Sequence, residues 1–146
     1  MTSLNFRIAK ESDAPYISEL ENEIFSDSWS FKDISDTVNS HNAMCYVIES
    51  NGEIIAYLLG SKIVPEGEIY RIATHPSHKR RGYAKALLRY VLDAEKDLCD
   101  IYLEVRESNT PARNLYTGCG FKEISIRKNY YKSPTEDGIN MHRAKG

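Results

Sequence analysis

The sequence predicts an α/β fold built on a mixed sheet, and three observations carry that expectation. Short β-rich runs alternate with amphipathic helical periods, a strand, helix, strand series from Glu68 to Arg106 has the length of a crossover between parallel strands, and no internal repeat interrupts the alternation. A chain of 146 residues, 41% hydrophobic and with net charge −2, has enough apolar material for one core without disulfides or metal, so a single domain over 1–146 is expected.

Taken in order, Asn5 to Ala9 reads as a short strand. Ser12 and Asp13 offer a helix N-cap with Pro15 just inside, and Ile17, Leu20 and Ile24 recur at helical spacing. A second helix starts at a Ser30 cap and carries Phe31, Ile34 and Val38 on one face, with Trp29 in the connection. Met44–Glu49 and Glu53–Ser61 form a hairpin joined at Asn51-Gly52, a pair that tolerates positive φ at both turn positions. Glu68 to Thr74 is a strand ended by His75-Pro76. From Tyr83 to about Lys96, residues Ala84, Leu87, Leu88, Val91 and Leu92 share one helical face, and Asp100 to Arg106 returns as a strand. A fourth helix begins near Asn109-Thr110, with Pro111 in its first turn and Gly118 as its stop. Phe121–Arg127 and Ile139–Arg143 complete the sheet.

Composition excludes several classes. With 19 Lys+Arg against 21 Asp+Glu there is no bulk positive charge for coating nucleic acid, so any bound anion must be held locally. Cys45, Cys99 and Cys119 are an odd set without a C-x-x-C pair, as expected of reduced thiols inside a cell. His75 and His78 lack nearby cysteines and read as solvated loop histidines, so no metal is expected. The N-terminus has no apolar leader core, and the longest apolar stretch, Ile54 to Leu59, falls far short of the roughly 20 residues that span a bilayer. These features point to a soluble, cytoplasmic protein that engages no membrane.

The most informative segment is HPSHKRRGYAKALLRY, where a strand ends and a turn containing Gly82 leads into a helix. Backbone N–H groups at a helix N-terminus bind phosphate. Lys79, Arg80, Arg81, Lys85 and Arg89 crowd this junction without an acidic residue among them. Composition alone leaves two readings open, a local anion site and a solvated basic helix face. Neither a P-loop nor a three-glycine dinucleotide fingerprint is present.

At this junction the chain resembles the GNAT superfamily of N-acetyltransferases, whose signature is Gln/Arg-x-x-Gly-x-Gly/Ala; here it reads Lys79-Arg80-Arg81-Gly82-Tyr83-Ala84, with Lys in the first position. The blocks IYRIATHPSHKRRGYAKALL, YLEVRESNTPARNLYTGCGF and IRKNYY are similar to the ribosomal-protein-alanine N-acetyltransferase (RimI-type) branch from Tyr70 to Met141. The resemblance implies a mixed, mainly antiparallel central sheet flanked by helices, with acetyl-CoA as cosubstrate. It further implies that Ile72, Ala73 and Thr74 pair with the pantetheine arm, that Arg80, Arg81, Gly82, Tyr83, Ala84 and Lys85 cradle the pyrophosphate, and that Asn109 touches the cofactor. Glu104 matches the general base, Tyr116 the general acid, and Tyr130 and Tyr131 stand beside the acceptor peptide.

Without the resemblance, Glu104 shares a strand face with Tyr102 and Arg106 and would be a solvent-side residue. Tyr116 would be core packing, although Leu115 and Phe121 supply that packing and leave it free to face a site. Tyr130 and Tyr131 lie near Pro134 and Gly138, which suggests a loop. Cys119 reads as a packed thiol, since no histidine base accompanies it. The leading reading is an Nα-acetyltransferase acting on the N-terminal alanine of a small-subunit ribosomal protein, as a monomer or weak dimer. A GNAT enzyme for lysine side chains or a small amine is the alternative within the class, and a non-catalytic acetyl-CoA-binding domain the alternative outside it. A second acceptor wall is expected from Glu23 or a neighbour near Phe25 and Trp29, and a basic stretch after the first acceptor residue would suit the acidic surplus left when the Lys79–Arg89 cluster is set aside.

Overall fold

The structure is a computed structural model that describes residues 3–79, 81–132 and 134–145. Its elements follow the expected order: β1 (Leu4–Ile8), α1 (Ala14–Ile24), α2 (Phe31–Asn39), β2 (Tyr46–Ser50), β3 (Glu53–Ile63), β4 (Glu66–Thr74), α3 (Tyr83–Ala94), β5 (Asp100–Arg106), α4 (Thr110–Gly118), β6 (Lys122–Tyr131) and β7 (Glu136–Ala144). One seven-stranded sheet runs β1-β2-β3-β4-β5-β7-β6. Among the described residues its single parallel pair is β4 with β5, joined through α3 as a crossover.

Helices cover both faces. Leu87, Leu88 and Val91 of α3 and Tyr116 of α4 pack on Ile69, Leu103, Phe121 and Met141, whereas Ile17 and Leu20 of α1 and Ile34 and Val38 of α2 pack on Val47, Tyr57, Leu59 and Ala73. A fully buried Leu or Ile of this kind contributes about 1.5–3 kcal/mol relative to an exposed one. Ser30 caps α2 as expected, its Oγ accepting from Asp33 N at 3.1 Å. Asn51 and Gly52 both adopt positive φ, 52° and 81°, at the β2–β3 turn.

Three local expectations change. Asp13 precedes α1 but does not cap it; its carboxylate takes the Arg7 guanidinium at 2.7 and 2.9 Å and the Lys10 N–H at 2.8 Å. Phe31, at the first position of α2, is 52% exposed, whereas Ile34 and Val38 of the same helix are buried. The last two strands are longer than predicted, and Tyr130 and Tyr131 belong to β6 rather than to a loop. Hydrogen bonding to β7 resumes at Tyr131 beyond an irregularity centred near Asn129, whose φ is 52°. None of the described helices is long and apolar enough to cross a membrane.

Candidate active site

β4 and β5 pair only from Glu66 with Asp100 to Ile69 with Leu103. Beyond that point β4 stays with β3 as far as Thr74 and β5 stays with β7 as far as Arg106, so the two strands part and the β4 edge at Ile72, Ala73 and Thr74 is open toward the gap. The registers Leu59 with Arg71 and Gly60 with Ile69 leave Tyr70 as an extra residue on β4. Such a bulge bends and twists its strand. It also changes facing: Ile69 and Ile72 both pack toward α3 and α4, while the two residues between them, Tyr70 and Arg71, line a cavity on the opposite face.

At one end of the gap stands the α3 N-terminus. Gly82 precedes it with φ 78° and ψ 14°, a left-handed conformation that glycine adopts freely, and a Cβ there would meet nothing within 4 Å. The first N–H groups of α3, at Tyr83, Ala84 and Lys85, have no carbonyl partner inside the helix. Arg81 and Lys85 are exposed beside them, as is Lys79. Arg80, the remaining predicted member of this cluster, lies outside the described residues. Open space, free donors and cationic side chains therefore converge where an anionic pyrophosphate fits.

His75 and His78, in the same connection, are half-buried rather than solvated, with ring centroids 5.5 Å apart and Glu53 close by. The His75 Nδ1 accepts the Ser77 N–H at 3.0 Å, so in the neutral ring Nε2 carries the proton and faces Glu53 Oε1 at 3.6 Å. That tautomer pairs the imidazole with a carboxylate.

The other end of the gap gathers Glu104, Tyr130 and Tyr131. Glu104 on β5 has one carboxylate oxygen, Oε1, 3.4 Å from the Arg127 guanidinium, and the other, Oε2, buried without a partner. A Cβ on Gly138 would come within 3.2 Å of Tyr130, 3.3 Å of Tyr131 and 3.4 Å of Glu104, so the missing side chain is what lets these three converge. Arg127 stacks on the Tyr130 ring at 4.2 Å and Arg106 on the Tyr131 ring at 4.5 Å. Burial, and then the charge of Glu104, push the Tyr131 phenol up to about 12. Glu104, Tyr130 and Tyr131 line one cavity of about 370 Å³.

Tyr116 corrects the expectation that Leu115 and Phe121 would relieve it of packing. It is the buried aromatic of α4, 7% exposed and edge-on to Phe121 at 5.8 Å, while Leu115 is only half-buried. Its phenol nevertheless senses the cleft. Burial pushes it well above its ordinary value, the nearby Tyr131 adds to that, and the Arg71 charge opposes both. Asn109 caps α4, its Oδ1 accepting from Ala112 N at 3.2 Å, which leaves its amide NH2 and one lone pair of Oδ1 for other contacts.

Of the N-terminal side expected from Glu23 or a neighbour near Phe25 and Trp29, the neighbours Asp27 and Trp29 line the cavity beside Glu104. Glu23 is exposed and lines a separate cavity with Arg7, Asp13 and Tyr16. Glu21, fully buried, accepts from Tyr57 Oη at 2.7 Å, from Trp29 N at 2.9 Å and from Arg71 Nε at 3.0 Å. Arg71 in turn stacks over Phe25 at 4.1 Å and donates to the Asp27 carbonyl at 2.7 Å. The Asp27 carboxylate lies 3.5 Å from Arg71 and 3.4 Å from Arg106, bridging β4 to β5 across the mouth of the gap.

The profile of the acetyltransferase (GNAT) family matches residues 14–121, nearly three-quarters of the chain, from the start of α1 to the residue before β6. The chain belongs to the GNAT acetyltransferases. It is 31% identical over 129 residues, 87% of its length and 85% of the relative's, to the [ribosomal protein bS18]-alanine N-acetyltransferase of Escherichia coli (strain K12). It is 28% identical over 140 residues to an N-alpha-acetyltransferase of Sulfurisphaera tokodaii, covering 86% of this chain and 84% of that one. Among solved structures, the ribosomal-protein-S18-alanine N-acetyltransferase from Escherichia coli superposes with a TM-score of 0.92 at 27% identity, over 97% of this chain and 94% of the other.

GNAT acetyltransferases use acetyl-CoA, and the residues of this one fit that group. The open β4 edge can pair with an extended amide chain as a sheet edge pairs with a strand, and the α3 N-terminus can take its diphosphate. In this acetyltransferase a Gly82→Val change is expected to weaken acetyl-CoA binding at least about tenfold, or about 1.4 kcal/mol, since a β-branched residue resists positive φ and its side chain fills the approach. Calorimetry measures it. Unchanged affinity with the circular dichroism of the wild type would remove this turn from the binding site.

Sequence reasoning missed Arg71, Arg127, Gly138 and Asp27. The Arg71 side chain is turned into the cleft by a bulge that periodicity does not reveal, and Gly138 matters only because β5, β6 and β7 meet around it. Arg127, inside the quoted IRKNYY block, was the one with a visible signal: a cation three positions before the tyrosine pair.

Proposed function

We propose that this acetyltransferase transfers acetyl to the α-amine of a protein N-terminus, alanine foremost, of a small-subunit ribosomal protein, with Glu104 as general base and Tyr116 as general acid. The observation that carries the reading is the Glu104 carboxylate: its Oε2 is buried, unpartnered and set among Tyr130, Tyr131 and Gly138 where the strands part. The names of the relatives in Escherichia coli and Sulfurisphaera tokodaii support the choice of acceptor. A ribosomal acceptor places the reaction in the cytoplasm.

Acetyl-CoA supplies an acetyl thioester, an acyl group with a thiolate leaving group. Ile72, Ala73 and Thr74 orient it through the open strand edge, Arg80 to Lys85 and Asn109 hold its phosphate end, and Tyr130 and Tyr131 wall the acceptor. At neutral pH an α-amine, with pKa of about 7.7–8.0, is largely protonated and cannot attack until a base takes a proton. Glu104 Oε2 is placed to receive it directly or through one water. Arg127 holds the other oxygen, which leaves the free one facing the acceptor. Tyr116, kept neutral by burial, retains a proton for the departing thiolate.

A lysine ε-amine, with pKa of about 10.4, presents a smaller neutral fraction to the same single carboxylate. Competition between an Ala peptide with a free N-terminus and its N-terminally blocked, lysine-containing counterpart is expected to favour the free α-amine in kcat/KM. Equal or faster modification of the blocked peptide would replace this reading with the lysine-directed one.

A further inference from the structure

From Glu104 along β5, the next residue on the same face is Tyr102, and Tyr102 stands in register with Glu68 of β4. Tyr102 and Tyr70 are 37% and 38% exposed, and Trp29 leans on Tyr70 with ring centroids 5.6 Å apart. These three aromatics and Glu68 line the same cavity as Glu104. Glu68 shares this cavity with part-exposed aromatic rings, which attract cations through their faces; one face of Tyr102 is stacked on His142 at 4.8 Å. The cavity's two arginines are already engaged, Arg71 by Glu21 and Arg127 by Glu104. Among the described residues Glu68 forms no salt bridge, and it is exposed at the rim.

We propose that Glu68 is a specificity-determining residue that receives a Lys or Arg side chain from the second or third position of the acceptor peptide, with Tyr70 and Tyr102 flanking the cation. The proposal rests on the reading of the chain as an Nα-acetyltransferase. Two residues of strand separate Tyr102 from Glu104, about 7 Å at the rise of an extended chain, so a peptide with its α-amine at Glu104 brings its next side chains over Glu68. An acidic residue there meets repulsion.

The test compares kcat/KM for free-amine peptides that share an N-terminal Ala and carry Lys, Ala or Glu at positions two and three, using the wild type, Glu68→Gln and Glu68→Lys. A ratio taken within each variant is insensitive to its folded fraction. The wild type is expected to prefer Lys over Ala by about five- to tenfold, the combined size of a rim ion pair and a cation–π contact, expressed in KM. The ratio should fall to near one in Glu68→Gln and below one in Glu68→Lys. No preference in the wild type, or a preference that survives Glu68→Gln, overturns the assignment while acetylation of the all-Ala peptide leaves the Nα-acetyltransferase reading standing. Failure to acetylate any of the free α-amines would sink both.

Discussion

A Glu104→Gln enzyme is expected to lose roughly 10²-fold or more in kcat while binding acetyl-CoA almost as well as the wild type. The substitution preserves size at a site crowded by Gly138, Tyr130 and Tyr131, and it removes the one capacity that the unpartnered Oε2 supplies, that of taking a proton. The defect should depend on pH. Below the acceptor's pKa of about 8 nearly every bound amine carries a proton that Gln cannot remove, and above it the amine is already neutral, so the gap between variant and wild type narrows as pH rises. A pH–rate profile with one Ala peptide provides the measurement. A deficit of constant size from neutral pH to well above the amine pKa would mean that Glu104 positions the acceptor or supports the strand and does not act as base.

The largest loss of stability is expected from Glu21→Leu. Glu21 is fully buried and takes hydrogen bonds from Tyr57, Trp29 and Arg71, whose side chain is itself only 15% exposed. Removing the carboxylate strands a largely buried guanidinium and a buried phenol at once, and breaking a buried pair by deleting one partner costs about 3–5 kcal/mol. For a chain of this size that is a fall in Tm on the order of 10 °C. Glu21→Gln, which keeps one acceptor oxygen for the Trp29 N–H and offers an amide that can donate to the Tyr57 hydroxyl, should lose less. Pairing Glu21→Leu with Arg71→Met should recover much of the loss, because a buried ion pair replaced as a unit by apolar residues is often neutral. Thermal unfolding of the three variants reads this out, and a single Glu21→Leu change within 2 °C of the wild type, on the order of half a kcal/mol, would show that solvent reaches Arg71. The same lesion should raise KM for the acceptor, since Arg71 also holds the Asp27 connection at the cleft mouth.

The order of strands and helices, the parallel crossover through α3 and the Gly82 turn were legible in the amino-acid sequence because each depends on neighbours along the chain. Apolar spacing selects a helix face, Ser30 and Asn109 cap the residues just after them, and Asn51-Gly52 and Gly82 supply the positive φ their turns need. The family motif extended that reach to Glu104 and Tyr116 by type and position. Tertiary structure alone decided which groups meet. β7 lies between β5 and β6, which brings Gly138 against Glu104, Tyr130 and Tyr131 although Glu104 is 26 to 34 residues from the other three along the chain. A bulge at Tyr70 turns Arg71 toward Glu21, fifty positions away, and packing selects Asp27 and Trp29, among the neighbours of Glu23, to line the cavity. Helical spacing likewise offered both Leu115 and Tyr116 for burial, and the sheet beneath α4 chose Tyr116. Local propensities act over a few residues, whereas a bulge, a strand order and a buried ion pair are settled by packing between segments that the sequence keeps far apart.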